Sequence, residues 1–196
     1  MEFLRALIEE HGLALIPLYT ARDGKCTCGK EDCTSRGKHP LKNFLWKHAA
    51  SSDKARVDQW WGSVGKINLA VCTGRRSKVN GKCLVVVDFD VSQHELMAKM
   101  PKTFVYRTGG GGLHYWFWSE IPVRNSVSLL ASKVDVRGTN GYVVVPPSHH
   151  ASGRDHVVVN ASPIADMPEE IQTMLKQAYM DRKRTTSIGA KRPKGT

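Results

Sequence analysis

No apolar run in this chain approaches the 18 or more residues that a membrane helix needs. That excludes a helical membrane protein. The N-terminus, "MEFLRALIEEHGLALIPL", lacks a basic region followed by a small-residue cleavage site and places acids early. It does not read as a secretory signal, so a cytoplasmic, reducing location is expected. There is no internal repeat, which leaves out repeat architectures. Acids are scarce: 18 Asp and Glu face 29 Lys and Arg, a net charge of +11. Part of the surplus is local, because six of the basic residues (Arg182, Lys183, Arg184, Lys191, Arg192 and Lys194) follow Asp181. The remainder of the chain is still basic, and a phosphate-rich partner is the natural inference. Only five cysteines occur. In a reducing compartment they suggest free thiols or metal ligands rather than disulfides.

The 196 residues, 41% hydrophobic and 24% charged, suffice for one sizeable core. We expect one domain over residues 1–180, followed by a basic tail over 181–196 too poor in apolar residues to fold alone. Phe3, Leu4, Leu7 and Ile8 have the spacing of an amphipathic helix ended by Gly12. "LALIPL" reads as a strand and residues 20–40 as a loop. A helix capped by Ser52 should turn Val57, Trp60 and Trp61 inward. "INLAVCTG" and "CLVVVDFD" read as strands around a basic turn, "RRSKVNGK". A helix is predicted over Ser92–Met100, stopped by Pro101. "TFVYRTGGGGLHYWFW" looks like two strands joined by four glycines, and "VDVRG", "GYVVVPPS" and "HVVVN" like three more. A last helix should run from Met167 to Met180. The pattern predicts a mixed α/β or α+β fold, a sheet with helices packed on it.

In "CLVVVDFDVS" an apolar strand runs into two acids. On a strand Asp88 and Asp90 point to one face and Phe89 to the other. Two neighbouring carboxylates repel, and a divalent cation with a preference for oxygen, Mg²⁺ or Mn²⁺, offsets that repulsion. Alone, such a pair more often reads as a solvated turn. A third acid, Asp135, lies in the apolar "KVDVRG", and between them "RTGGGGLHYWF" carries His114 behind a glycine run that lets backbone approach a ligand. Taken singly, a histidine is more often structural and a glycine run a plain hairpin. The ordered set is harder to obtain by chance.

"CTCGKEDCTSRGKH" places Cys26, Cys28, Cys33 and His39 within fourteen residues that lack apolar packing. Four N and S ligands at this density suit a structural Zn²⁺ in a loop spanning 24–40. His39 could instead join Lys38 as a nucleotide or template contact, with His48 or His11 replacing it as ligand. Cys72 and Cys83 read as small core residues. The tryptophans at 60, 61, 116 and 118 invite a base-stacking reading, although core packing is preferred for most.

Together "GKHP", "DQWW" followed by "NLAVCTG", "VVVDFD", "RTGGGGLHYWF" and "VDVRGTNGYVVVPPSHHASG" resemble the bifunctional DNA primase–polymerase domain of the archaeo-eukaryotic primase superfamily, of the phage and plasmid replication-protein type. The resemblance spans roughly residues 10 to 160. It implies a split RRM-like catalytic sheet packed on a second small α/β unit, with a metal-bound loop. It also implies that Asp88, Asp90 and Asp135 bind the two catalytic Mg²⁺ or Mn²⁺ ions and that His114 contacts the triphosphate of the incoming nucleotide. Arg137, Arg107 and Lys133 are then candidates to flank the triphosphate, and Gly111, Gly112 and Ser148 to complete the pocket. The expected function is template-directed DNA synthesis from dNTPs or NTPs on a single-stranded template and primer, in a bacterial host cell if the protein is phage- or plasmid-encoded. A helicase, as a further domain or a separate protein, could accompany it, and the tail would lead to such domains or to template DNA. Two rivals are weighed. A non-catalytic zinc-containing nucleic-acid-binding module has no need of three strand-borne acids. A replication-initiator nickase would want two histidines around one hydrophobe, which "LHYWF" and "SHH" do not supply.

Overall fold

The computed structural model describes the backbone of residues 2–189 and the side chains of residues 4–181. In chain order the elements are α1 (Glu2–Glu10), β1 (Leu15–Leu18), β2 (Ala21–Arg22), β3 (Lys25–Cys26), α2 (Trp46–Ala49), α3 (Lys54–Trp61), β4 (Asn68–Cys72), β5 (Gly74–Val79) and β6 (Lys82–Phe89). A 3-10 helix (Glu95–Lys99) follows, then β7 (Phe104–Arg107), β8 (Leu113–Ser119), β9 (Ser126–Ala131), β10 (Val134–Arg137), β11 (Tyr142–Val144), β12 (Val157–Ala161), β13 (Ala165–Asp166) and α4 (Glu169–Gly189).

The apolar run of β6 is unbroken because both of its faces are buried. Leu84 and Val86 face one way, Val85, Val87 and Phe89 the other. β6 is central in an eight-stranded sheet of order β12-β7-β8-β6-β10-β9, with β5 also paired to β6 and β13 to β8. Its Leu84/Val86 face packs, with Phe104, Tyr106 and Trp116, against Leu15, Leu69, Val71 and Val143 of a three-stranded sheet ordered β1-β4-β11, and against Leu4, Leu7 and Ile8 of α1 and Val57 of α3. The opposite face is covered by Ile171 and Leu175 of α4 and by Leu96. Burial of each such side chain is worth about 1.5–3 kcal/mol. The fold is mixed α+β and sheet-dominated, consistent with the predicted class, and among the described residues no helix is long and apolar enough to cross a membrane.

Several elements differ from the sequence reading. "RRSKVNGK" is a hairpin rather than a turn: β5 pairs with β6 around Asn80–Gly81, both at positive φ, the backbone that a tight two-residue turn requires. β9 was not predicted; its Val127 is exposed, so it has no strong buried pattern. The predicted Ser92–Met100 helix shrinks to a short 3-10 turn, because His94 is extended and its ring accepts the N–H of Leu96 as a cap. The cap of α3 is Asp53, which accepts from Arg56 N, rather than Ser52. The backbone of α4 continues past Met180 to Gly189, into the predicted tail, whose basic side chains lie outside the described residues, as does that of Phe3.

The tryptophans at 60, 61, 116 and 118 settle as packing groups. Trp116 is fully buried between the two sheets, its ring 5.0 Å from that of Phe104. Trp118 is partly buried beside His11, at 5.3 Å, and Trp60 meets Phe44 at 5.8 Å. A Trp116→Ala variant should lose about 3–5 kcal/mol of stability in urea unfolding; a loss below about 1 kcal/mol would contradict its place in this seam.

Candidate active site

Strand register places four polar side chains in one row across four strands. Tyr106 of β7 is opposite His114 of β8, His114 opposite Asp88 of β6, and Asp88 opposite Asp135 of β10. All four are buried on the face toward the small sheet, at the end of the apolar run of β6. His114 Nε2 lies 2.9 Å from Asp88 Oδ1. Its Nδ1 meets Tyr106 Oη, which donates to Val144 O at 2.6 Å and so is left to accept from the ring. Arg137, two residues beyond Asp135, donates to Asp88 Oδ2 at 3.1 and 3.3 Å and to Asp135 Oδ2 at 2.7 Å. Asp135 Oδ1 accepts from Ser128 N at 2.9 Å.

Burial alone would raise the Asp88 carboxyl, but His114 and Arg137 together outweigh it and bring it down to about 2. Asp90, exposed just past the end of β6, is pushed upward by partial burial and then by repulsion from Asp88 and Asp135. The negative charge of the trio is therefore not fully neutralised by protein. An oxygen-only donor set with surplus negative charge fits Mg²⁺ or Mn²⁺. Asp88, Asp90 and Asp135 are the residues that would hold such ions.

A cavity of about 380 Å³ opens in front of this row, a size suited to a small molecule. Asp88, Asp90, His114, Arg137 and Lys38 line it, together with residues the sequence reading did not single out: Thr108, Asn125, Asn140, Tyr142 and His156. The signal for His156 was weak, one histidine opening an alternating strand. Arg107 and Lys133 are exposed and do not line the cavity, although Lys133 O accepts Asp90 N at 2.9 Å. Gly111 and Gly112 do not line it either. Gly112 instead allows backbone contact, because a Cβ there would sit 2.1 Å from Phe89 O, against the strand end that carries the aspartates. Ser148 is buried in a clasp on β4, accepting from Leu69 N at 3.0 Å and donating to Leu69 O at 3.2 Å.

The cysteine loop brings its four donors together. Among the described residues, Cys26, Cys28, Cys33 and His39 are the only group of three or more such ligands whose atoms all lie within 4.8 Å of one another. His39 Nε2 is 3.4 Å from Cys26 Sγ and 3.5 Å from Cys33 Sγ, while Nδ1 is directed at Pro40 O at 3.2 Å, leaving Nε2 for a metal. Burial raises the Cys26 thiol, but the N–H groups of Gly37 and Cys28 and the neighbouring thiols overcome this and lower it. The donor set and its spacing fit tetrahedral Zn²⁺. His11 and His48 are not part of the group. Buried Asn68 ties the loop to the body, donating to Gly37 O at 2.9 Å and His149 O at 2.7 Å.

Among the described residues, neither ring nitrogen of His156 has a hydrogen-bond partner. Burial, then the nearby His114 and His150, depress it from 6.5 to about 3. A depressed histidine opposes protonation of the folded state, so its contribution is unfavourable below the unfolded pKa and grows as pH falls from 6.5 toward 3. Between pH 7 and pH 5 wild-type protein should lose about 2 kcal/mol more stability than His156→Leu in urea titrations. Parallel pH profiles for the two proteins would refute this.

No curated protein matches the chain. Residues 4–170 match the family described as bifunctional DNA primase/polymerase, N-terminal. The match covers most of the chain and includes the cysteine loop, the aspartate-bearing strands β6 and β10, and His114. A buried histidine–acid–acid row beside a cavity lined by both acids and cations lies within that span, and the match leads to one conclusion: the chain belongs to the bifunctional DNA primase/polymerase family.

Proposed function

We propose that the protein is a template-directed DNA nucleotidyltransferase that adds (d)NTPs to a primer 3′-hydroxyl and can start strands de novo, as part of phage or plasmid replication in a cytoplasm. The observation that carries this reading is the in-register row of His114, Asp88 and Asp135, fronted by Asp90 and a cavity whose cations are Arg137 and Lys38. Asp88, Asp90 and Asp135 hold two Mg²⁺ or Mn²⁺ ions. When bound, such ions activate the primer hydroxyl and neutralise the leaving pyrophosphate.

The chain's own groups do the positioning. His114 and Arg137 pair with carboxylates in this structure, and both pair as readily with phosphate oxygens, so they are assigned to the triphosphate. Lys38 adds a point charge at the cavity wall. Tyr106 holds the His114 ring from behind, with its own hydroxyl anchored on Val144 O. The Cys26–Cys28–Cys33–His39 set holds a structural Zn²⁺ that orders a loop with no core of its own.

In primer extension on a single-stranded template, Asp88→Asn and Asp135→Asn should each reduce incorporation at least about a hundredfold, and EDTA should abolish it. An Asp135→Ala protein that extends primers like the wild type would sink the assignment. Protein purified without chelator should carry about one zinc per chain, and Cys33→Ser should lose it and become sensitive to proteolysis within residues 23–39. Zinc-free protein with an intact, protected loop would refute the structural role.

A further inference from the structure

We propose that the single-stranded template enters the cavity across the face formed by Trp46, Tyr142, Lys47 and Arg76. This rests on the polymerase reading and names the partner surface of the same site. Tyr142 belongs both to the cavity wall and to the outer face of the small sheet, and its hydroxyl donates to Lys38 O at 3.0 Å. The Trp46 ring meets it edge-on at 5.1 Å, so an aromatic surface continues outward from the cavity without a break. Two cations lie over the Trp46 ring itself, the Arg76 guanidinium 5.5 Å and Lys47 Nζ 5.9 Å from its centroid, so charge and aromatic face are presented together. Arg76 is also hydrogen-bonded to Lys47 O, which ties β5 to α2.

Trp46 covers Ile16, Leu18, Ala70 and Cys72, and a simple lid would explain its burial. A lid does not explain what surrounds it. Leu45, the preceding residue, is 71% exposed. No acid occurs from Cys33 to Ser52 or from Gln59 to Val87, the two segments that build this face, while Arg36, Lys38, Lys42, Lys47, Arg75, Arg76 and Lys78 all fall within them. Acid-free segments that join the half-exposed Trp46 to cations, with Tyr142 beside them, fit a phosphodiester strand whose bases are free to stack. Paired bases in a duplex cannot offer their faces to Trp46 and Tyr142, so the occupant is single-stranded DNA.

The test uses the full chain and a labelled oligothymidylate of roughly 20 nucleotides, with fluorescence anisotropy in the absence of nucleotide and primer extension in parallel. Trp46→Ala should weaken binding about tenfold, the effect of losing one base–aromatic stack, and Trp46→Phe should keep most of the affinity. Lys47→Glu, a surface change that leaves the core alone, should also weaken binding and lower its salt dependence. In primer extension both Trp46→Ala and Lys47→Glu should raise the template concentration needed for half-maximal rate, with the rate at saturating template near that of wild type. Wild-type affinity in both variants overturns the template path, as does tighter binding of blunt duplex than of single strand by the wild type. Such results leave the polymerase reading standing as long as the wild type extends primers. A wild type that extends no primer overturns the polymerase reading and the path with it.

Discussion

A carboxylate 8% exposed in the seam between two sheets is stable only if its charge is met on the spot, and Asp88 is met from both neighbouring strands. His114 reaches one oxygen from β8 and Arg137 the other from β10. Both contacts follow from strand register, which is held by apolar neighbours: Val86 and Val87 precede Asp88 on β6 and pair with Trp116 and Tyr115 on one side and with Arg137 and Val136 on the other. A slip of one residue would turn every side chain on a strand to the opposite face and scatter the row. The site therefore depends on the core in a direct way, since the packing that buries Val85–Val87 also aligns the charges.

The same cations explain how one arrangement can serve two states. With protein alone, Arg137 bridges Asp88 and Asp135, yet Asp90 is left raised by partial burial and by repulsion from the other two carboxylates. Asp88 and Asp90, which line the cavity, thus leave an unmet demand for positive charge there, while Asp135 stands behind them without lining it. Arg137 and His114 suit both roles because carboxylate and phosphate present similar acceptors.

Around this centre the connections are polar rather than apolar. Among the described residues the cysteine loop contributes to none of the hydrophobic clusters, and Asn68 tethers it, its amide linking Gly37, His149 and Thr20. Lys38 follows directly on Gly37, so the same tether fixes a cation at the cavity wall. The glycine run works similarly: Gly112 lies against Phe89 O and Gly109 against the His150 side chain, so the loop packs between the aspartate-bearing end of β6 and the 149–155 loop.

Apolar, β-rich runs that end in or carry a few polar residues made β6, β8 and β10 readable, and Asp88, Asp90, Asp135 and His114 were named from their order along the chain. The cysteine loop was readable because soft ligands without apolar neighbours have few other uses. β5 and β9 escaped because one is basic and the other lacks a clear buried pattern, and sheet pairing rather than propensity makes them strands. The helix expected over 92–100 failed because a histidine cap and an extended start leave room for only one tight turn. Ser148, Arg107 and Lys133 looked equally suited to a nucleotide from their chemistry. Distance separates them: Ser148 is spent on Leu69, and the other two lie away from the cavity. Tyr106, Tyr142 and His156 could not be singled out, since nothing local marks an aromatic that will stand at a site assembled from several separate strands. Residue type and spacing, which act within a few residues, were enough to name the candidate residues, and the order of the motifs along the chain was enough to point to the family. Which strands would be neighbours, and so which partner each carboxylate would have, depends on contacts between distant segments that no local pattern encodes.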